Sequence, residues 1–270
     1  MISSNPGKIL LFFAHPDDET SSCGGTINKY SKLGSQVYIC TATNGNKGDL
    51  GTGDLKLTRE ELGPYREKEE LKVLKSLGAY DVLQLGYDDQ CLELLENGVL
   101  EQQFLNILKK IQPNIVITFG QRGFSGHTDH IQVNINATNA FNKYVTIYSA
   151  QNIRLFYTAM PKLIAEKREM DLSEEEKSPP IGIDISDTWG NKVAGLRMYK
   201  SQRDAQEIAN MFETMYQGDS IDNYGESREE ILQLFESLKN YGYTSNPTEY
   251  FHQYYPKLEN YNGTILSNRF

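Results

Sequence analysis

The sequence predicts an α/β fold with a mostly parallel sheet flanked by helices. Short segments rich in Val, Ile, Leu and aromatic residues alternate with segments of helical periodicity, a pattern that is typical of βαβ units. The first apolar segment, Ile9 to Phe13, is unbroken, as expected for a strand buried on both faces. Polar clusters follow the first and fourth segments, at the end of the strands where open parallel sheets bind ligands.

The predicted strands are short and rich in β-branched and aromatic residues. A proline, Pro113, ends the preceding helix just before the fourth strand. The predicted strands cover residues 8–14, 36–42, 81–87, 114–119, 153–157 and 181–185.

The predicted helices have apolar faces and recognisable ends. In the second helix, Leu71, Leu74 and Leu77 share one face, Pro64 suits the first turn and Gly78 the end. The predicted helices cover residues 26–33, 64–77, 100–111 and 131–143, and the chain is expected to be mostly helical from residue 188 onward.

The C-terminal part of the chain has three further features. Two charge runs in residues 161–180 indicate a solvated excursion that is helical or mobile. Ser227 and Glu230 have the spacing of a capping box ahead of the last helix. The tail is rich in tyrosine, for which ordinary packing is the expected role.

Composition excludes several classes of protein. The chain has 270 residues, 39% hydrophobic and 23% charged, which is enough apolar material for a folded core. Its net charge of −9 argues against nucleic-acid binding. Three distant cysteines, Cys23, Cys40 and Cys91, predict no disulfide framework and favour the cytoplasm. No secretory signal is visible, and no apolar run approaches the ~18 residues of a membrane span, so no membrane association is expected.

Two polar clusters carry the candidate chemistry. His15 and Asp18 follow the first strand, and His127 and His130 follow the fourth, so three of the four histidines lie at the carboxyl ends of predicted parallel strands. His15, Asp18 and one later histidine would form a three-ligand site that leaves a position for water. That ligand set is typical of catalytic zinc, whereas structural zinc usually has four protein ligands.

The remaining polar side chains suit proton transfer. Asp17, if it does not bind the metal, could act as the general base. The later histidine that is not a ligand could stabilise an oxyanion or protonate a leaving amine, with Asp129 orienting it. The alternative is that the carboxylates beside Pro16 only form the acidic first turn of a helix.

Two segments together resemble a known family. Ala14-His15-Pro16-Asp17-Asp18-Glu19 and Gly126-His127-Thr128-Asp129-His130 are similar to the paired motifs of the PIG-L/LmbE family of zinc-dependent N-acetylglucosamine deacetylases. The resemblance covers about residues 8–205. It implies a Rossmann-like fold and zinc bound by His15, Asp18 and His130, with Asp17 as the base and His127 contacting the tetrahedral intermediate.

The resemblance also implies substrate contacts and an assembly. Arg66 and Asn44 fall in segments similar to those near the substrate in family members. The expected substrate is a small molecule, an N-acetylated amino sugar or its conjugate. Family members often form trimers or hexamers, so a homo-oligomer is expected. The family commonly has Pro in place of Thr128 and Arg in place of Ile131, and neither position is a metal ligand.

We therefore expect one domain over residues 1–270, with a core at about 8–205 and a helical, Tyr-rich C-terminal extension at about 206–270. Its expected function is zinc-dependent N-deacetylation of a GlcNAc-type sugar. The alternatives are a zinc amidase acting on a larger N-acyl or thiol conjugate, and a non-catalytic sugar-binding relative. A dinucleotide-binding oxidoreductase is disfavoured, because carboxylates replace the Gly-rich turn that approaches the pyrophosphate. The Gly-x-Ser-x-Gly motif of many serine hydrolases is also absent.

Overall fold

Eight strands form one mixed sheet in the part of the chain that the computed structural model describes, residues 7–148, 152–217, 227–240, 246–258 and 266–267. The strands are β1 (Lys8–Phe13), β2 (Gln36–Thr43), β3 (Asp81–Tyr87), β4 (Ile115–Thr118), β5 (Arg154–Ala159), β6 (Ile181–Asp184), β7 (Thr248–Tyr255) and β8 (Leu266–Ser267). Their spatial order is β3-β2-β1-β4-β5-β7-β6-β8.

Helices connect and flank these strands. They are α1 (Asp18–Lys32), α2 (Arg59–Leu77), α3 (Val99–Ile111), α4 (Thr128–Tyr148), α5 (Lys162–Lys167), α6 (Glu174–Lys177), α7 (Trp189–Met198), α8 (Arg203–Gln217) and α9 (Arg228–Asn240). Among the described residues, no helix combines the length and apolar character needed to cross a membrane.

Strand β1 lies between β2 and β4 and pairs in parallel with both. Leu11 is level with Ile39 in β2 and with Ile117 in β4. Residues 9–13 are buried, which explains their unbroken apolar sequence. The strand order reverses between β1 and β4, so a topological switch point lies at their carboxyl ends. Open α/β sheets bind ligands at such points.

The α/β prediction with a mostly parallel sheet is confirmed. The bounds of β3 and the end of α2 at Gly78 are as predicted, and Gly78 has φ +86°. The other strands from β1 to β6 match to within about two residues. The capping box of Ser227 and Glu230 is also present, because each backbone N–H donates to the other side chain.

Several helices begin earlier than predicted. Helix α2 begins at Arg59, before Pro64, because Thr58 caps it in a capping box with Glu61. Helix α4 begins at Thr128 and extends through Tyr148, longer than the predicted 131–143.

Helix α1 begins at Asp18, whereas the sequence predicted residue 26. The glycine pair that suggested the later start lies inside the helix. A Cβ atom on Gly25 would lie only 2.6 Å from the Ile185 side chain, and one on Gly24 would lie 3.1 Å from Lys192. These glycines therefore serve close packing of α1 against neighbouring segments, which local sequence does not reveal.

The C-terminal extension is helical only in part. Helices α7 to α9 agree with the prediction, but residues 248–255 form β7, which pairs antiparallel with β5 and with β6. The helical prediction is wrong there, because β7 is stabilised by partners distant in sequence. Tyr250, Tyr254 and Tyr255 lie in β7, whereas Tyr241, Tyr243 and Tyr261 lie outside the described residues.

The acidic excursion at 161–180 contains the two short helices α5 and α6. Glu176 in α6 is 1% exposed, and its carboxylate accepts a hydrogen bond from the backbone N–H of Arg122. The excursion is thereby linked to the loop that precedes α4.

A buried ion pair joins α7 to β7, and both of its side chains also form hydrogen bonds with α1. Lys192 Nζ lies 2.7 Å from Glu249 Oε1 and donates to the carbonyl of Ser21. The Glu249 carboxylate also accepts hydrogen bonds from the backbone N–H groups of Gly25 and Thr26. The two charges therefore stabilise each other and form hydrogen bonds with backbone groups of α1. The loss of one charge would leave the other buried and unpaired.

We expect Lys192→Met to lower the free energy of unfolding by about 3–5 kcal/mol, because Glu249 would keep a buried charge without a cation. The double variant Lys192→Met/Glu249→Gln should be more stable than this single variant. Urea denaturation measures the free energy of unfolding of the single and the double variant. Lys239→Met, which breaks the exposed contact with Glu236, is the control and should be close to wild type. Wild-type stability in Lys192→Met would contradict the prediction.

Candidate metal centre

The polar cluster lies at the switch point between β1 and β4. His15 and Asp18 follow β1, and His127 and His130 lie at the start of α4, after β4. Because the two strands are adjacent and parallel, their carboxyl ends bring the two sequence motifs together. The nitrogen atoms of His15, His127 and His130 lie within 4.8 Å of one another.

Three side-chain atoms form a compact triangle. His15 Nδ1 lies 3.0 Å from His130 Nε2, and Asp18 Oδ2 lies 3.3 Å from each of these nitrogens. Ligand bonds of about 2.0–2.2 Å in a tetrahedron separate ligand atoms by roughly 3.3–3.5 Å. The spacing of the triangle is therefore close to that of three ligands on one metal ion.

The hydrogen-bond partners of the two histidines fix their tautomers. His15 Nε2 lies 3.0 Å from Asp89 Oδ1, and His130 Nδ1 lies 2.8 Å from the carbonyl oxygen of Gly123, so each of these nitrogens donates. In the neutral rings, the lone pairs of His15 Nδ1 and His130 Nε2 then face each other at 3.0 Å. A cation between them would remove this repulsion, and a metal-binding histidine commonly has such a partner on its other nitrogen.

Gly123 is required where it stands. Its φ is +64°, and a Cβ atom there would lie 2.7 Å from His130 Cβ. The close approach lets the Gly123 carbonyl accept the hydrogen bond from His130. Gly123 thus orients the imidazole ring of His130, whose Nε2 is one corner of the triangle.

The electrostatics favour a cation in the triangle. Burial lowers the pKa of His15, but the carboxylates of Asp129, Asp18 and Asp89 outweigh it and raise that pKa well above its ordinary value. Burial opposes the charge of Asp18, yet His130 and His15 hold its pKa well below its ordinary value. The cluster therefore stabilises positive charge, and its nitrogen and carboxylate donors suit zinc.

Asp17 is held beside the triangle by its backbone and by Arg66. It caps α1 with φ 111°, a conformation that is uncommon for a residue with a side chain. Its backbone N–H donates to Glu19, and Asp17 Oδ2 accepts from Arg66 Nη2 at 2.9 Å. Burial raises the pKa of Asp17 well above its ordinary value, against the opposing charge of Arg66. A raised pKa suits a carboxylate that accepts a proton near neutral pH.

His127 presents a donor to the site. Its Nδ1 accepts the backbone N–H of Asp129 at 3.1 Å, so the neutral ring carries its proton on Nε2. Burial, together with the charges of His15 and His130, lowers the pKa of His127. The half-buried ring is therefore suited to donate a hydrogen bond while it is uncharged.

Asp129 orients a different histidine from the one that the sequence suggested. Its carboxylate lies 3.4 Å from His15 Nε2 and accepts the backbone N–H groups of Gln90 and Leu92. Only its backbone N–H contacts the ring of His127. The side chain therefore supports His15, because the first turn of α4 directs it toward the loop after β3.

Asp89 is a residue that sequence reasoning missed. It is 4% exposed, and it lies 3.0 Å from His15 Nε2 and 3.9 Å from His127 Nε2. The sequence did contain a signal for it, because Asp89 follows the carboxyl end of β3 just as the other polar residues follow β1 and β4. Strand β2 lies between β3 and β1, and this separation concealed the contact of Asp89 with His15.

Arg66 and Asn44 have different surroundings. Arg66 lines the site, and its guanidinium donates to the carbonyls of Gly45 and Pro16 as well as to Asp17. The Asn44 side chain instead accepts the backbone N–H of Asn46 in a local turn, and it is not among the residues that line the site. Arg66 therefore contacts the catalytic candidates directly, whereas Asn44 shapes the loop after β2.

The site opens into a cavity of about 790 Å³. The lining includes the side chains of the triangle and also polar and charged groups of the segment around α8, among them Gln202, Asp204 and Glu207. Phe124 and Met211 add apolar surface. The cavity is large enough for a small polar molecule and places it against the candidate metal ligands.

The sequence matches a family model and curated relatives. Residues 10–141 match the model described as PIG-L: GlcNAc-PI de-N-acetylase. A 1D-myo-inositol 2-acetamido-2-deoxy-alpha-D-glucopyranoside deacetylase of Salinispora arenicola is 27% identical over 197 residues, which cover 66% of this chain. The match spans 64% of that relative's length.

Two solved structures share the fold. The 4-carboxy-2-hydroxymuconate hydratase of Pseudomonas putida has a TM-score of 0.65 at 16% identity, covering 93% of this chain and 98% of its own. The N,N'-diacetylchitobiose deacetylase of Pyrococcus horikoshii has a TM-score of 0.63 at 20% identity, covering 94% and 87%. These likenesses support the architecture. The match to the PIG-L family model covers residues 10–141, just under half of the chain, and over that stretch the sequence is similar to the family.

Proposed function

We propose that this protein is a zinc-dependent hydrolase that removes the N-acetyl group of a GlcNAc-type amino sugar or its conjugate. The observation that carries the proposal is the triangle of His15 Nδ1, Asp18 Oδ2 and His130 Nε2, with sides of 3.0–3.3 Å, beside the carboxylate of Asp17. Three ligands leave a coordination position open, which is the arrangement of catalytic zinc.

The side chains around the triangle divide the work of amide hydrolysis. When bound, zinc acts as a Lewis acid that makes water more acidic and polarises the amide carbonyl. Asp17 accepts the proton from the attacking water, held in place by Arg66. His127 Nε2–H donates to the oxygen of the carbonyl as negative charge develops there.

The reaction balances with water as the only co-reactant. The water oxygen forms a bond to the carbonyl carbon, the C–N bond breaks, and the amine nitrogen gains the proton that Asp17 accepted. The products are acetate and the free amine. Asp89 and Asp129 keep His15 in its ligand tautomer throughout.

The substrate class follows from the cavity and from the family. Gln202, Asp204 and Glu207 line the same cavity as the triangle and offer hydrogen-bonding groups, as suits the hydroxyl groups of a sugar. The relative from Salinispora arenicola is named for a 2-acetamido sugar. A larger N-acyl or thiol conjugate is the second candidate, because apolar surface adjoins the same cavity.

Two wider proposals accompany this function. Cys23, Cys40 and Cys91 are all free thiols, which supports a reducing, cytoplasmic location. A homo-oligomer, trimeric or hexameric, stays a prediction from the family, with sedimentation velocity as its test.

We expect His15→Ala, Asp18→Ala and His130→Ala each to lose bound zinc, because each removes one of three ligands. Metal content of the purified proteins should fall from about one zinc per chain to well below half. His252→Ala, which changes the remaining histidine in β7, is the control and should keep its metal. Stoichiometric zinc in all three ligand variants would refute the assignment.

We expect wild-type protein to release acetate from N-acetylglucosamine compounds, and Asp17→Asn to be slower by about 10²- to 10⁴-fold with zinc retained. Asparagine preserves an acceptor for Arg66 but cannot take a proton. Acetate release is measured together with metal content. Asp81→Asn, exposed at the start of β3, should behave as wild type. Near-normal turnover in Asp17→Asn would exclude Asp17 as the base.

We expect His127→Ala to keep its zinc and to lower kcat by about 10²- to 10³-fold, because the carbonyl oxygen loses a hydrogen-bond donor. Its KM should change much less than its kcat, since the donor acts mainly as charge develops. His252→Ala again serves as the control. Unchanged kinetics in His127→Ala would make the ring structural.

A further inference from the structure

A second cavity, of about 200 Å³, adjoins the metal-site cavity. The two share six lining residues, of which Arg168 is the charged one: Ser21, Phe124, Arg168, Met170, Ile208 and Met211. Ser21 lies one turn of α1 beyond Asp18, so the shared boundary is near the candidate zinc ligands. We refer to this second cavity as the apolar pocket.

The apolar pocket differs in chemistry from the cavity beside it. Its walls are mainly hydrocarbon and thioether groups from the segment around α5, from α8 and from α9, such as Ile164, Phe212, Met215, Leu234 and Leu238. At its boundary with β7 and α7, the charges of Lys192 and Glu249 are already paired with each other. The pocket therefore offers surface for a hydrocarbon group and no unpaired charge from this ion pair.

One polar atom in the pocket lacks a partner. Thr158 is 2% exposed and lines the pocket, and its hydroxyl oxygen is buried without a hydrogen bond among the described residues. Buried hydroxyl groups usually have partners. The hydroxyl oxygen is itself enclosed, so it is a buried polar atom in the wall of the pocket and the proposal below does not depend on it.

We propose that the apolar pocket binds a hydrocarbon substituent of the substrate, about six to eight carbon atoms long, while the reacting amide lies at the metal centre. The proposal rests on the proposed function, because it places both groups on one substrate. A cavity of about 150 Å³ lined by apolar side chains can hold benzene, so 200 Å³ suits a slightly larger group.

Continuity with the metal site favours a substrate group over an ordinary packing void. Protein interiors contain few voids larger than a water molecule, and apolar ligand pockets usually carry a few polar groups that orient the ligand. Here the apolar pocket shares lining residues with the cavity that holds the candidate ligands, so a substrate in that cavity lies next to the pocket.

The hydrocarbon could belong to either side of the amide, and two substrate series distinguish the sources. One series lengthens the acyl group of N-acylglucosamine from acetyl to hexanoyl. The other lengthens the alkyl group of N-acetylglucosamine alkyl glycosides from methyl to hexyl. We expect kcat/KM to rise about two- to fourfold per methylene in one series, because each buried methylene contributes about 0.8 kcal/mol.

A binding measurement tests the pocket without chemistry. Methyl, butyl and hexyl glucosides contain no amide, so they can bind without being hydrolysed. Trp189, the single tryptophan, can report their binding, because its ring centroid lies 5.8 Å from that of the pocket residue Tyr216. Tryptophan fluorescence and calorimetry should show that the hexyl glucoside binds at least about 30-fold more tightly than the methyl glucoside, as five methylenes at twofold or more predict.

Substitutions in the pocket should remove this dependence on chain length. Met215 is half-buried in α8 and lines only the apolar pocket of the two. Met215→Glu places a charge there, and Met215→Trp fills the space, so the ratio of hexyl to methyl affinity should fall at least tenfold in each. Met198→Glu, on the exposed part of α7, is the control and should keep the wild-type ratio.

The outcomes separate the two proposals. Equal binding of hexyl and methyl glucosides together with no chain-length effect in either substrate series would overturn the apolar pocket. A chain-length effect that persists in both folded Met215 variants would also overturn it. No hydrolysis of any substrate would count against the proposed function, and the binding ratio would still decide the pocket. Acetate release without any chain-length effect would leave the deacetylase and exclude the pocket.

Discussion

A surplus of buried negative charge at the end of the central strand is the constraint on which the site depends. Asp17, Asp18, Asp89 and Asp129 converge there, and within the described residues near them Arg66 is the one permanent cation that contacts them directly, through Asp17. Burying several carboxylates together is unfavourable unless positive charge joins them. The two facing histidine nitrogens give that charge a defined place, so the geometry and the electrostatics both favour positive charge in the triangle.

The sequence predicts the parts of this arrangement that follow from strand ends. Parallel strands bring their carboxyl ends to one edge, so His15 and His130 could be placed together from two motifs far apart in the chain. The sequence could not predict the contacts that loops make with distant parts of the site. Asp89 supports His15 from a strand two positions away, and β7 forms only because β5 and β6 offer free edges to it. Such features depend on contacts with residues distant in sequence, which a local sequence pattern does not identify.

Similarity of fold does not decide the reaction. A hydratase and a deacetylase match this architecture about equally well, with TM-scores of 0.65 and 0.63. Folds host different reactions because the reacting groups lie on loops and helix ends that vary without disturbing the sheet. The case for amide hydrolysis therefore rests on particular candidate atoms: the proposed base Asp17 held by Arg66, the proposed donor on His127, and two candidate ligand rings whose hydrogen bonds fix their tautomers.

The candidate catalytic residues and the proposed apolar pocket come from different parts of the chain. Every candidate ligand, base and donor lies within residues 10–141, the stretch that matches the family model. The walls of the apolar pocket come mostly from residue 158 onward, in helices that follow the family match and in β7. The Lys192–Glu249 pair connects β7 to α1, the helix that carries Asp18. A change in the later segments could thus alter which substrate is bound while leaving the metal ligands and the base in place.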